Sequence, residues 1–329
     1  MILAGDIGGT NTRLAFFEGT PDHLNVVAIE VFPSQEHPGL AEIARLFLDK
    51  HHQTARAAVF GIAGAVVDNR VEATNLPWVV DARQLAGELR LDRVELINDL
   101  LANAHGIALL NESDFVSLNP GAPSPTGNRA LISAGTGLGE AGLLAAPNGY
   151  QPFPSEGGHA DFAPRSELEI ELLRYLMGRF DHVSYERVLS GPGLHNLYEF
   201  LRDTGRGEEP GWLAEQIAQS DPSAAIATSA LEGTSDICVQ ALDIFVSVYG
   251  AEAGNLALKV VATGGMFVGG GIAPKILRKL SSSTFIKAFN AKGRMGRLLQ
   301  DIPVRVITND KTALLGAGRV AALALTGQP

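Results

Sequence analysis

The stretch AGDIGGTNTRLAFF, residues 4–17, sets three glycines and an acid between apolar segments and follows them with Thr10, Asn11 and Thr12. Glycine spacing this dense lets something small approach the backbone. A Walker loop would end in Gly-Lys-Ser/Thr and open a helix. Residues 8–13 contain no lysine, and RLAFF is short and β-like before Gly19. A dinucleotide fingerprint also needs a helix after its glycines. What remains is a β-hairpin whose turn amides face an anion. A plain hairpin turn, with Asp6 at the strand end, is the competing reading.

If the anion is a phosphate, Asp6 cannot meet it directly, because two anions repel; it can act through a Mg²⁺ ion or its waters. A second hairpin of the same kind follows. GDIGGTNTRLAFF and SAGTGLGEAGLLAA both read as strand, Gly/Thr turn, strand, about 125 residues apart, too far for a solenoid repeat. They look like one hairpin used once in each of two related domains. Gly137, Gly139 and Gly142 also spell G-x-G-x-x-G, but Pro147 and Gly149 follow too soon for the crossover helix that fingerprint needs.

Around these hairpins the pattern alternates strand and helix, which implies sheets with helices packed on them. GLAEIARLFLDKHH places Leu40, Ile43, Ala44, Phe47 and Leu48 on one helical face. AAVFGIAG (57–64) reads as a buried strand ending in a glycine turn. DARQLAGELR starts a helix at an Asp81 cap, RVELIND (93–99) reads as a strand, and LLANAHGIALL as the next helix. NPGAPSPTGN near residue 120 is a loop. From 165 to about 260 the chain reads as mostly helical, with TSDICVQALDIFVSVYGAEAGNLALKV as one long helix or two, capped at Thr234 or Ser235. VVATGGMFVGGGIAP reads as strand, glycines, strand. IPVRVIT and TALLGAGRVAALAL close as a strand and a helix.

Composition narrows the function classes. The 329 residues are long enough for two domains with sizeable cores. At 46% apolar and 19% charged the chain is typical of globular proteins. A net charge of −10 and a pI near 5.3 give no electrostatic support for nucleic-acid binding. A single cysteine, Cys238, excludes intrachain disulfides and cysteine metal clusters. No uninterrupted apolar run reaches the roughly 18 residues of a membrane span, and Asp6 interrupts any signal-peptide core, so no membrane association and a cytoplasmic location are expected.

Three further stretches carry candidate chemistry. LINDLLANA puts Asn98 and Asp99 at the end of an apolar strand, where open α/β sheets line their ligand crevices. A carboxylate there can take a proton from a hydroxyl, or Asp99 can simply cap the following helix. PSEGGHADFAP gathers Glu156, His159 and Asp161 around two glycines. That is a poor metal site, with no second His or Cys nearby, and a good polyol-binding loop, because a sugar needs mixed donors and acceptors. It also fits a surface loop before a helix whose Ser166 and Glu169 form a capping box. SYERVLSGPG offers Glu186, or merely an acid in a first helical turn. GGMFVGGGIAP can lie flat against a base or ribose, or reflect close strand–helix packing.

Together these blocks resemble the bacterial glucokinase family, within the superfamily of sugar kinases, actin and heat-shock chaperones. The resemblance spans nearly the full chain, through GDIGGTNTRLA, INDL, SAGTGLG, EGGHADFAP, ERVLSGPG, FVGGGIAP and LLGAG. It implies an α/β, two-domain actin-like (ribonuclease H-like) sugar kinase fold with a deep interdomain cleft. A small domain, 1–109, is completed by a C-terminal helix at 308–329, and 110–307 form the large domain. It implies ATP-dependent phosphorylation of D-glucose to glucose 6-phosphate, the first step of glycolysis, with ATP and Mg²⁺, and commonly a homodimer. Position by position, Asp99 resembles the base that takes the proton from the sugar's 6-hydroxyl. Asn98, Asp99, Glu156, His159 and Glu186 match sugar-binding positions. Gly5, Asp6, Ile7, Gly8, Gly9 and Thr10 match the first ATP phosphate loop, with Asp6 at the metal, and Gly135, Thr136 and Gly137 match the second. Gly269, Gly270 and Gly271 resemble the adenosine patch. IAGAV at 62–66 stands where a proline-containing turn is expected, Ser133 occupies a variable position, and the Cys-rich zinc motif of the related repressor-and-kinase group is absent.

Rival functions are a broader hexose kinase acting on fructose, mannose or glucosamine, a non-catalytic sugar-sensing regulator, and an actin-like filament protein. Regulators usually carry a DNA-binding segment ahead of the kinase fold, and only five residues precede Asp6 here. A filament has no use for the EGGHADF loop.

Overall fold

The computed structural model describes residues 1–74 and 76–326. The chain divides into two compact units. One holds Met1–Glu112, Gln151–Pro154 and the chain from Asn309 onward; the other holds Ser113–Tyr150 and Ser155–Thr308.

In the first unit, strands β1 (Ile2–Ile7), β2 (Asn11–Thr20), β3 (His23–Pro33), β4 (Ala57–Ile62) and β7 (Val94–Asn98) form a sheet in the order β3-β2-β1-β4-β7. A small hairpin, β5 (Arg70–Glu72) and β6 (Val79–Asp81), falls between β4 and β7 in sequence and forms a two-stranded sheet of its own. β1 pairs antiparallel with β2 and parallel with β4, and β4 pairs parallel with β7. Strict alternation divides the side chains between two cores. Leu3, Ile7, Leu14, Phe16 and Phe60 face the helices Leu40–His51 and Ala82–Leu89. Ile2, Ala4, Ala15, Phe17, Val59 and Ile97 face the helices Asp99–Gly106 and Thr312–Thr326. With both faces covered, β4 is buried at every position, as a parallel strand between helix layers must be.

The six-stranded sheet, in the second unit except for Gln151–Pro154 of its edge strand, repeats this plan. β8 (Phe115–Asn119), β9 (Arg129–Ala134), β10 (Leu138–Ala146), β11 (Gly149–Ser155), β12 (Gly265–Gly269) and β13 (Val304–Ile307) lie in the order β11-β10-β9-β12-β13-β8. β9 pairs antiparallel with β10 and parallel with β12, which pairs parallel with β13; β8 joins the edge antiparallel. The order β11-β10-β9-β12-β13 matches β3-β2-β1-β4-β7 strand for strand, so the echo seen in sequence is a repeat of the whole sheet. The core of this unit gathers Ile132, Met266, Val268 and Val306 against Leu242, Phe245 and Tyr249 of the helix Asp236–Val260.

Several readings need correction. The long helix is single and runs Asp236–Val260, with Ser235 at its cap position but no side-chain capping bond; Thr234 instead bonds back to Ser229 O. That helix is apolar enough on average to cross a membrane, yet 72% of its most apolar window is buried inside the fold, where it is the core helix. VVATGGMFVGGGIAP holds one strand, not two. Val260 ends the long helix, Val261 is left-handed at φ 51°, and only Gly265–Gly269 pair. The expected capping box is half made. Ser166 accepts from the Glu169 amide, but the Glu169 carboxylate turns to Arg165, taking its amide at 2.7 Å and its guanidinium. The strands β3, β5, β6, β8 and β11 have no counterpart in the sequence reading.

Candidate active site

The first unit contributes two strand ends. Asp6 is the last residue but one of β1, opposite Arg13 on β2 and in register with Gly61 on β4. Alternation puts it on the face of Ile2 and Ala4, the side covered by the helix Asp99–Gly106. Burial first, then the charge of Asp99, pushes its carboxyl up to about 6; Arg13 opposes this and Asp310 adds to it. Arg13 holds Asp310 there, donating to its carbonyl at 2.5 Å and pairing with its carboxylate at 3.1 Å. Three carboxylates thus share one electrostatic neighbourhood.

Asp99 begins the helix after β7, and it is not the cap. Asn98 is: its Oδ1 accepts from the amides of Leu100 and Leu101 at 2.9 and 3.2 Å, and its Nδ2 donates to Gly64 O at 3.2 Å. Asn98 therefore acts first as a brace for Asp99. The Asp99 carboxylate accepts from the Leu100 amide at 2.8 Å, at the N-terminal end of its helix. Gly61 lets that helix sit close, since a Cβ there would lie 2.9 Å from Ala102 Cβ.

Of Gly5–Thr10, only Gly8, Gly9 and Thr10 form the turn. Gly5 and Ile7 are strand residues inside the sheet; a Cβ on Gly5 would reach 2.5 Å from Phe60, and Ile7 is buried in the core. The Gly8 amide closes the turn on Asn11 O at 3.0 Å. Ser34 buttresses it from outside: its hydroxyl donates to Gly8 O at 2.7 Å and meets the Thr12 hydroxyl at 3.0 Å, and its amide donates to Thr10 O. No sequence signal marked Ser34, because its partners lie more than twenty positions away.

In the second unit the predicted residues converge. The Gly135 amide bonds to Gly137 O at 2.8 Å, and Gly135 O accepts from the Gly191 amide. The next amide, Leu138, donates to the Glu186 carboxylate at 2.9 Å. A Cβ on Gly137 would overlap that carboxylate, and one on Gly158 would overlap Leu138 O. His159 stands between two acids, with Nδ1 4.0 Å from Glu186 and Nε2 3.9 Å from Glu156. A cavity of about 430 Å³ opens beside them, walled by His159, His182, Ser184, Glu186 and Arg187 among others, a size suited to a small molecule. Gly269 closes β12 inside the sheet. Gly270 follows at φ 85° with its Cα facing Ala134 O, and the space beside Gly271 is open. The buried Tyr249 hydroxyl clamps this region from below, accepting from the Ala134 amide at 3.1 Å and donating to Gly269 O at 3.3 Å. Tyr249, like Ser34, escaped sequence reading.

The first unit thus offers a glycine turn and a carboxylate on a helix end; the second offers a glycine turn beside a carboxylate–imidazole–carboxylate cluster. Among the described residues no three His, Cys, Asp or Glu side chains gather as metal ligands.

The glucokinase family profile matches residues 3–324. A glucokinase of Nostoc sp. (strain PCC 7120) is 44% identical over 338 residues, covering 98% of this chain and 99% of that protein. The crystal structure of a glucokinase from an Antarctic psychrotroph superposes with a TM-score of 0.83 at 30% identity, covering 97% and 98% of the two chains. A ROK family glucokinase from Streptomyces griseus, crystallised with glucose and AMPPNP, shares the fold at a TM-score of 0.67 and 19% identity, covering 97% and 98%. Profile, relatives and fold agree over nearly the whole length, and the chain belongs to the glucokinase family.

Proposed function

We propose that this chain transfers the γ-phosphoryl group of ATP to the 6-hydroxyl of D-glucose. The observation that carries the reading is the hydrogen bond from Leu138 to Glu186. It joins a phosphate-binding turn and a polyol-binding cluster within one unit of the fold. The family membership supports the same donor and acceptor.

Phosphoryl transfer asks for positioning and charge neutralisation more than covalent catalysis. The Gly8–Thr10 and Gly135–Gly137 turns present backbone to phosphate oxygens. Glu156, His159 and Glu186 orient the sugar by its hydroxyls. Asp99 takes the proton of the 6-hydroxyl as its oxygen bonds to phosphorus, while the bond to the bridging β–γ oxygen breaks and ADP leaves. Mg²⁺ fits the donor set in the first unit. Asp6 is a hard oxygen ligand, and its raised affinity for protons beside Asp99 and Asp310 is what a cation would relieve. Asp6 would hold it directly or through water, the phosphates completing the shell. When bound, the ion neutralises charge on the β- and γ-phosphates.

We also read the two units as two domains, 1–109 with 308–329 and 110–307, and the protein as a cytoplasmic homodimer, which the family resemblance supports and light scattering tests. A coupled assay over glucose, mannose, fructose and glucosamine, with ATP and polyphosphate as donors, tests the reaction. Glucose with ATP should dominate, EDTA should abolish turnover and Mg²⁺ should restore it. No turnover of any hexose, or equal rates on polyphosphate without nucleotide, overturns the proposal.

A further inference from the structure

Beneath the Glu156–His159 loop lies a pair of carboxyls that phosphoryl transfer does not use. Glu140 follows the Gly135–Gly137 turn on β10 and is 1% exposed; Glu252, on the helix Asp236–Val260, is 0% exposed. A Cβ on Gly157 would overlap Glu140 Oε2, and the Gly157 amide is held by Ser155 Oγ at 3.0 Å. The loop backbone therefore rests on the Glu140 carboxyl, and glycine is the residue that can rest there. Glu140 Oε1 is buried with no hydrogen-bond partner among the described residues.

Among the described residues no cation hydrogen-bonds Glu140; those nearby serve Glu252 and its neighbours. Glu252 accepts from Asn255 at 2.7 Å and from Lys259 at 3.3 Å, but Lys259 is half exposed. Tyr185 meets Asn255 at 3.0 Å, and Lys292 donates to Ala251 O and Asn255 Oδ1. Arg165 is committed to Glu169, and the Tyr249 hydroxyl to Ala134 and Gly269. A carboxyl buried close to a second carboxyl resists ionising. A protonated carboxyl also gains a donor, which a carboxylate lacks.

We propose that Glu140 is a positioning residue for the sugar loop: held protonated in its buried place near Glu252, its carboxyl seats Gly157 and so aims Glu156 and His159 at the sugar. This rests on the reading that the loop binds glucose. Burial, and then Glu252, pushes the Glu140 carboxyl up to about 8. Above that pH two facing carboxylates repel beneath Gly157, and the loop loses its seat. The sign for stability follows. Between the ordinary 4.5 and about 8 the folded protein keeps a proton that the unfolded chain releases, so this contribution falls as pH rises through that window.

The test is KM for glucose and for ATP from pH 6.5 to 9.5, with glucose binding followed by calorimetry, in the wild type, Glu140→Gln and Glu252→Gln. In the wild type the glucose KM should rise about tenfold per pH unit above the titration, with no matching rise for ATP. Both glutamine variants should lose that rise, and either one alone carries the test if the other fails to fold. Lys292, pushed down to about 8 by burial, titrates in the same range; Lys292→Arg stays charged and should keep the wild-type profile. An alkaline rise that persists in the glutamine variants, a rise lost in Lys292→Arg, or a wild-type glucose affinity independent of pH overturns the inference alone. A wild type that binds no glucose at any pH overturns the sugar reading and this inference with it.

Discussion

The carboxylate of Glu186 accepts the backbone amide of Leu138 at 2.9 Å while its other oxygen lies 4.0 Å from His159. One side chain therefore stitches the Gly135–Gly137 turn to the Glu156–His159 loop. Glu186→Ala should weaken both substrates, raising each KM by about tenfold or more, the worth of a charge-assisted hydrogen bond. Glu186→Gln can still accept from Leu138, so ATP should recover while glucose stays impaired. His159→Ala and Glu156→Gln should raise the glucose KM alone. Steady-state kinetics in both substrates separates these patterns; an ATP KM untouched in Glu186→Ala would show that the turn stands without it.

Asp99 and its neighbour separate chemistry from stability. Asn98 already caps the helix, so Asp99→Asn should leave the melting temperature near that of the wild type. Its amide cannot take the hydroxyl proton, and kcat should fall by at least about 10², or about 2.7 kcal/mol of barrier. Asn98→Ala should do the reverse in part, costing about 1 kcal/mol of stability through the lost cap. A folded Asp99→Asn enzyme with near-normal kcat would remove Asp99 from the chemistry.

Gly270 and Gly271 are adjacent and should respond differently. A side chain at Gly270 meets Ala134 O in a left-handed backbone conformation, whereas the space beside Gly271 is open. Gly270→Ala should lower the melting temperature and raise the ATP KM; Gly271→Ala should fold normally, and any rise in its ATP KM reports nucleotide contact directly. Thermal melts with ATP titrations decide between them.

His105 supplies a pH handle in the first unit. Burial, with help from Arg319, holds its imidazole down to about 4, and Nδ1 is buried without a hydrogen-bond partner among the described residues. The folded state keeps it neutral, so its contribution is present above the ordinary 6.5 and is lost as pH falls towards 4. His105→Gln should flatten the fall in melting temperature over that range relative to the wild type. An identical slope in both proteins would assign the acid sensitivity to other groups.

What the sequence made legible was local. The Gly8–Thr10 and Gly135–Gly137 turns announce themselves because glycine and threonine between alternating strands admit few backbones. Asp81, with two amides on its side chain, caps its helix as read. Glu156 and His159 share one loop, so their meeting needed no fold. The rest depends on distance along the chain. Arg13 reaches Asp310 across 297 positions, Leu138 reaches Glu186 across 48, and Ser34 reaches Gly8 across 26. Each is an ordinary residue in an ordinary local pattern, and only the sheet brings it to its partner. Asp99 was ambiguous for the opposite reason: Asn98 and Asp99 cap equally well in isolation, and only coordinates show which one does.

The helix Thr312–Thr326 covers the face of the first sheet that carries Ile2, Ala4, Phe17 and Val59, and it lies against the helix that begins at Asp99. The contact is backbone to backbone: a Cβ on Gly316 would overlap Ala102 O, and one on Gly106 would overlap Thr312 O. On the ribosome this has a consequence for timing. The strands of the first sheet emerge before residues 113–308, but the helix that covers this face comes after them, so the nascent chain carries an open apolar face while the whole second unit is translated. The second unit, translated in between, can mature while the first waits. A chain stalled within the second unit would thus expose that face and be a natural client for chaperones, and the helix that begins at Asp99 would gain its support only once residues 312–326 are made.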